Sequence, residues 1–307
     1  MADEEIWRSA NAPADLPTLD DIVKSCADAG FNRNGVCIEV LGKPRFWAKY
    51  GGSVIRGEGL TQAHVAGIVN ADPVRVVRVP EVYLIFSREE CGYIVMELVE
   101  GTTFAKRTGK YGKDDIKAVA AAVRRLTDIK MPAGTAPGPI GGGRIGHDFF
   151  VDFLSTLEYP TVGHLEDQIN AVCFPLTFST SHSHTRALVA NKVVRPLNSR
   201  LSVDFRTETA NGLVLCPSDL DDSNFMVDTM GNLWAIDFGR TCFLPPSFVH
   251  YSLTLSPNVF GRRVAHLVKY PQSANFKAMM TAAGQLVVFN DNSLGKYRHQ
   301  SCLATRH

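Results

Sequence analysis

No uncharged apolar run in the chain approaches the ~18 residues that a membrane-spanning helix needs. Cysteine is sparse and scattered over positions 26, 37, 91, 173, 216, 242 and 302, with no CxxC pair and no Cys/His cluster at metal-ligand spacing. A charge excess of either sign is missing too. The 32 basic and 31 acidic side chains leave a formal net charge of +1, so no global field points to nucleic acid or to an anionic membrane. The N-terminus, Met-Ala-Asp-Glu-Glu-Ile-Trp, is acidic where a signal peptide is basic and then apolar. Internal repeats and low-complexity tracts are absent. These absences imply a soluble, cytoplasmic protein with reduced thiols and without nucleic-acid or membrane partners.

What remains is ordinary globular composition: 307 residues, 45% hydrophobic and 21% charged, enough for one large domain or two lobes. The balanced total hides a split. From Arg240 to His307 eight Lys/Arg face a single acid, Asp291, so a basic end sits on an acidic body.

Periodicity and breakers divide the chain. Residues 13–30 read as a helix with a cap region at Thr18-Leu19-Asp20-Asp21 and a stop at Ala29-Gly30. Val36–Val40 and Phe46–Lys49, either side of Leu41-Gly42-Lys43-Pro44, predict a β-hairpin. Glu58–Val69 has helical spacing. Val82–Phe86 and Tyr93–Val99 predict two antiparallel strands around the charged turn 87–92. Beyond Gly101 the character is helical. A strong helix is expected at 114–129, a Pro/Gly-rich irregular loop at 131–146, and further helices around 148–158, 165–173 and 184–200. Strand signals return at 213–215, 225–227 and 233–236, with a turn at Asp228-Thr-Met-Gly231. Helical pieces separated by Pro245-Pro246, Pro257 and Pro271 complete the chain. This pattern implies an α+β protein with a small β-rich lobe over 1–99 and a larger, mainly helical lobe over 100–307.

The chemistry concentrates between Cys216 and Gly239. Asp219 follows a short strand, Asn224 lies five residues on, and a two-strand turn then delivers Asp237 ahead of Phe238-Gly239. Phosphoryl transfer needs positioning and charge neutralisation more than covalent help. A carboxylate beside the acceptor hydroxyl can take its proton, while an amide oxygen and a second carboxylate hold Mg²⁺ on the phosphates.

Asp219-x4-Asn224 with Asp237-Phe-Gly239 resembles the catalytic and metal segments of the aminoglycoside phosphotransferase/choline kinase-like family, within the protein kinase-like fold. Phe46-Trp-Ala-Lys49 resembles that family's lysine strand, Glu58 stands where the lysine's ion-pair partner would, and Tyr93–Gly101 resembles the hinge between lobes. The resemblance covers roughly 36–248. It implies Asp219 as the base, Asn224 and Asp237 as Mg²⁺ ligands, Lys49 as the α/β-phosphate contact, and main-chain groups of Glu97 and Val99 as contacts to adenine. It further implies ATP and Mg²⁺, a small-molecule hydroxyl substrate and a monomer. The absence of His-Arg-Asp before the base and of Ala-Pro-Glu after Gly239 argues against a protein kinase.

Three departures support a second reading, a kinase-like binding or regulatory protein without turnover. Pro217 replaces the usual histidine two residues before Asp219, no glycine-rich GxGxxG cover precedes Val36, and Asp221-Asp222 crowd the metal position. Sparse acids in the C-terminal end favour a neutral or anionic acceptor over a polycationic aminoglycoside, unless Asp152, Glu158, Glu166 and Asp167 face the cleft. His147 and Asp148 either face that cleft or cap the helix expected after them. Ser181-His-Ser-His184 reads as a polar loop rather than a metal site, and Cys216 as a buried strand residue.

Overall fold

Period-two alternation organises the first sheet. The computed structural model describes residues 6–30, 35–107, 111–173 and 201–295. Strands β1 (Trp7–Arg8), β2 (Gly35–Val40), β3 (Lys43–Gly51), β4 (Val82–Arg88) and β5 (Cys91–Glu97) form one antiparallel sheet in the order β1-β4-β5-β3-β2. On β3, Phe46, Ala48 and Tyr50 turn to one face and pack with Ile22 and Cys26 of helix α1 (Leu19–Ala29). Burying a ring such as Phe46 contributes ~1.5–3 kcal/mol. Trp47 and Lys49 therefore point to the opposite face, where Val82, Ile85, Ile94 and Met96 meet helix α2 (Arg56–Val69) through Leu60 and Ala63.

The helix expected over 13–30 begins only at Leu19, because the Thr18 side chain caps it by accepting the Asp21 N–H. The β2–β3 hairpin closes on Leu41-Gly42, both at positive φ (53° and 73°), as two-residue hairpins require. That turn leaves no glycine-rich cover among the described strands. β1 was not signalled by the sequence; two residues are too short to show a period.

A larger core unites the rest. Helix α3 (Lys113–Thr127) buries Ile116, Val119, Ala120, Val123 and Leu126. Two three-stranded antiparallel sheets flank it: β6 (Gly101–Thr103), β9 (Phe225–Asp228) and β10 (Leu233–Ala235) in the order β10-β9-β6, and β7 (Lys130–Met131), β8 (Leu213–Pro217) and β11 (Thr241–Leu244) in the order β11-β8-β7. Helices α4 (Val162–Cys173), α5 (Phe205–Glu208), α6 (Pro246–Leu255), α7 (Val259–Val268) and α8 (Phe276–Phe289) complete the structure. Among the described residues no helix is long and apolar enough to cross a membrane.

One expected helix is missing. Residues 148–158 form bends around a short 3₁₀ turn at Val151–Phe153, where Asp152 and Phe153 take φ of 54° and 61°. Asn292 replaces helical bonding there, donating to the carbonyls of Val151 and Leu154 and accepting from the Val151 N–H. The helix expected at 184–200 and the Ser181–His184 motif lie outside the described residues. Cys216 is buried, directly opposite Cys242 on β11, and both are free thiols.

Candidate active site

Lys49 emerges from β3 on the α2 face, in register with Ile94. Its ammonium donates to Glu58 Oε1 at 2.5 Å and to Asp237 Oδ1 at 2.8 Å. Glu58 sits in the first turn of α2, yet it caps nothing: Ile55 is the N-cap, and the Glu58 carboxylate is 3% exposed and turned onto Lys49. Burial opposes the Lys49 charge, but Glu58 and Asp237 outweigh it and hold its pKa above the usual lysine value. Burial pushes the Glu58 carboxyl up, and Lys49 pulls it back. Helix α2 is fixed at this end by close approach of the 131–146 loop. A Cβ on Gly57 would meet Pro139 at 2.8 Å, and the Ile140 N–H donates to the buried Thr61 hydroxyl.

Asp237 follows β10 at φ 65°, a backbone state that Asp tolerates better than most residues and that clusters at functional sites. Its Oδ1 accepts from both Lys49 and the Gly239 N–H (3.1 Å), so Oδ2 is the oxygen left uncommitted among the described residues. Burial alone would raise its pKa; the Lys49 charge and these hydrogen bonds hold it below the ordinary carboxylate range.

Asn224 is tied to both neighbours. Its carbonyl accepts the Ile236 N–H at 2.9 Å, and its Nδ2 donates to the Asp219 carbonyl at 3.0 Å. With its nitrogen committed, Oδ1 keeps only a long contact from the Ser223 hydroxyl at 3.3 Å. One carboxylate oxygen and one amide oxygen form the kind of hard donor pair that Mg²⁺ takes when phosphates and water complete its shell. Among the described residues no group of three or more His, Cys, Asp or Glu could hold a metal ion by itself.

Pro217 ends β8 opposite Thr241, so no imidazole braces the Asp219 loop. Ser218 does so instead: its N–H and hydroxyl both donate to the Arg240 carbonyl, at 3.2 and 2.9 Å. Asn258 holds the next residues through the Leu220 carbonyl and Asp221 Oδ2. Asp221 Oδ1 caps Ser223, which commits that carboxylate to the turn. Glu97 and Val99 lie apart from this group at the end of β5. Glu97 exchanges backbone and side-chain hydrogen bonds with Glu81, and neither backbone group of Val99 has a partner among the described residues.

Two further residues complete the site. Arg240 stacks over the Phe153 ring at 3.8 Å, and its Nη1 stands 3.6 Å from Asp219 Oδ1 and 3.7 Å from Asp148 Oδ1. Burial, reinforced by the negative charge of Asp219, outweighs Arg240 and pushes the Asp148 carboxyl up to about 6. Asp148 thus lies against Arg240, and no α-helix directly follows it for it to cap. His147 is wholly structural: Nδ1 accepts the Phe149 N–H, so Nε2 carries the proton toward the Phe248 carbonyl and the Ser252 hydroxyl. For Arg240 the only sequence signal was its place directly after Asp237-Phe-Gly239. Phe153 had none, since a helix was expected there.

No protein-family model matches the chain, and no curated protein matches its sequence. Solved structures do. One, assigned as a fructosamine-3-kinase from Haemophilus somnus 129PT, is 10% identical over 91% of this chain and 90% of its own, with a TM-score of 0.43. The aminoglycoside phosphotransferase APH(4)-Ia is 14% identical over 92% and 94%, with a TM-score of 0.46. APH(2")-IIa, in a ternary complex with streptomycin and ATP, is 12% identical over 94% and 98%, with a TM-score of 0.41. Likeness at these scores carries no weight for the chemistry. The α+β, two-lobed, kinase-like arrangement is present in the chain's own elements: the five-stranded antiparallel sheet with its lysine strand, helix α2, and a mainly helical body carrying the Asp219–Gly239 segment.

Proposed function

We propose that this protein is a small-molecule kinase that transfers the γ-phosphoryl group of ATP, held with Mg²⁺, to an alcohol hydroxyl. The observation that carries the reading is the Lys49 ammonium fixed between Glu58 and Asp237 at 2.5 and 2.8 Å, beside the Asp219–Asn224 loop. In this reading residues 1–99 and 100–307 are the two lobes, and the unpartnered main chain at Val99 together with that of Glu97 meets adenine at their junction.

Each side chain then has a defined task. Lys49, kept charged by two carboxylates, binds the α- and β-phosphates. Asp237 Oδ2 and Asn224 Oδ1 would hold the metal, whose contribution when bound is to neutralise phosphate charge. Asp219 takes the proton of the acceptor hydroxyl as the new oxygen–phosphorus bond forms and ADP departs. The reading without turnover rests on Pro217, the missing glycine-rich cover and the crowded acids, and the first and third have answers in the structure. Ser218 and Asn258 brace the loop without a histidine, and Asp221 is spent on Ser223, which supports catalysis.

Asp219→Asn tests the assignment. The substitution should lower phosphotransfer by about 10²–10⁴-fold while stabilisation by Mg²⁺ and ATP persists. Full transfer by the variant would remove Asp219 from the role of base.

A further inference from the structure

We propose that the 131–146 loop encloses a second ligand site, one that takes an apolar amine and, when filled, fixes helix α2 and the Glu58 it carries. Binding there is independent of the phosphotransferase reading; only its effect on nucleotide binding rests on that reading.

A cavity of about 360 Å³ opens between this loop, residues 158–160 and strand β11. That volume falls within the ~300–1,000 Å³ of small-molecule sites. None of Lys49, Glu58, Asp219, Asn224 and Asp237 lines it. Its walls are held by their own hydrogen bonds, so the space is preformed. Gly138 exchanges two backbone bonds with Phe243, at 2.9 and 2.8 Å, and the Gly142 N–H closes a turn on the Pro139 carbonyl. On another wall the Tyr159 hydroxyl donates to Gln168 Oε1 at 2.8 Å, and Gln168 is tied in turn to the carbonyls of Asn292 and Leu294.

The lining selects the ligand. Pro137, Ile140, Tyr159 and Phe243 offer apolar surface against which a hydrocarbon body is buried. Glu158 is the one charged residue of the lining; it is exposed and forms no ion pair among the described residues. An ammonium on the ligand pairs with that carboxylate, an alcohol gains less from it, and an anion is repelled.

The same loop grips α2 on both sides of Glu58. Pro139 occupies the space that a Cβ on Gly57 would need, and the Ile140 N–H donates to the buried Thr61 hydroxyl at 2.9 Å. Phe243 meets the helix from β11, edge-on to His64 with ring centroids 5.9 Å apart. The walls of the cavity and the supports of α2 are thus the same residues, so a ligand that steadies the loop steadies the helix. Glu58, between those supports, holds Lys49. The amine and ATP with Mg²⁺ then favour the same ordered α2, and each tightens binding of the other by the same factor.

The test uses the full chain, first without nucleotide. Calorimetric titration takes tryptamine, phenethylamine and hexylamine, each against its alcohol (tryptophol, phenethyl alcohol and hexanol), with indole-3-acetate as the anion. At least one amine should bind at a single site, about threefold or more tighter than its alcohol, and indole-3-acetate should bind more weakly than tryptophol. Hydrogen exchange across Arg56–Val69 should slow in the complex. Glu158→Gln should erase the preference for amine over alcohol. Ala136→Trp, which adds a ring at an exposed position of the lining, should weaken amine and alcohol alike by about tenfold or more. Both side chains are exposed, so each variant should keep the wild-type unfolding midpoint without ligand. No binding of any amine at millimolar concentration, equal binding of amine and alcohol, or binding untouched by Ala136→Trp overturns the site. Bound amine with unchanged exchange in α2 overturns the link to the helix. ATP with Mg²⁺, titrated last, should bind at least about twofold tighter when the amine is present. Unchanged nucleotide affinity overturns the coupling, whereas no nucleotide binding at all sinks the phosphotransferase reading and leaves the amine site standing.

Discussion

Lys49 and Glu58 hydrogen-bond at 2.5 Å, although one belongs to a strand and the other to the helix packed across that strand's inner face. The pairing follows from alternation on β3. Because Phe46, Ala48 and Tyr50 must face α1, Lys49 must face α2. Removing one partner leaves the other buried without its full compensation. Glu58→Gln should cost about 2–3 kcal/mol of stability, less than the loss of a lone buried pair, because Asp237 still neutralises Lys49. Phosphotransfer should fall about 100-fold as the lysine loses its fixed position. Denaturant unfolding and steady-state kinetics on the same variant check both numbers.

Asp148 costs stability at neutral pH. Its carboxyl is 16% exposed and its pKa of about 6 lies above the ordinary aspartate value, so the folded state binds its proton more tightly than the unfolded chain. The contribution is therefore favourable below about pH 4 and is lost as the pH rises through 6. Asp148→Asn should stabilise the protein at pH 7.5 by roughly 3 kcal/mol at most, with the gain fading as the pH falls toward 4. Chemical denaturation across that range reads the effect. An equal gain at all pH values would mean that burial of charge is not its cause.

His147 shows the opposite linkage. Fully buried, its imidazole has a pKa lowered to about 3 by desolvation, well below the ordinary histidine value. Its contribution to stability is complete above pH 6.5 and is lost as the pH falls toward 3. Between about pH 4 and 6 it offsets the gain from Asp148, so wild type should be nearly flat there as far as this pair is concerned. Asp148→Asn should expose a slope of about 1.4 kcal/mol per pH unit. A ring titration followed by NMR should show no protonation of His147 above pH 4.5; a midpoint near 6 would contradict the buried, neutral assignment.

Much of this architecture was legible because it depends on short-range pattern. Alternation gave the β3 and β5 strands, and the strand–Asp-Phe-Gly segment gave the position of Asp237. What the sequence hid depends on long-range partners. Residues 148–158 carry helix-compatible residues, but Asn292, far along the chain, takes the hydrogen bonds of Val151 and Leu154. The bend so created brings Phe153 under Arg240 and Asp148 within 3.7 Å of its guanidinium. Likewise, the missing histidine at Pro217 read as a defect only because Ser218 bonding to the Arg240 carbonyl has no signature in a linear motif.

In the proposed function Lys49, Asn224 and Asp237 assemble a nucleotide site, and thermal unfolding reads its occupancy. A ligand that binds only the native state at about 100 times its dissociation constant adds ~2.7 kcal/mol, a readily visible rise in Tm. Wild type should shift with ATP and Mg²⁺ together and little with either alone, and Asp237→Asn should lose that response while remaining folded. No shift of wild type at millimolar ATP and Mg²⁺, or an undiminished shift in Asp237→Asn, would contradict the account.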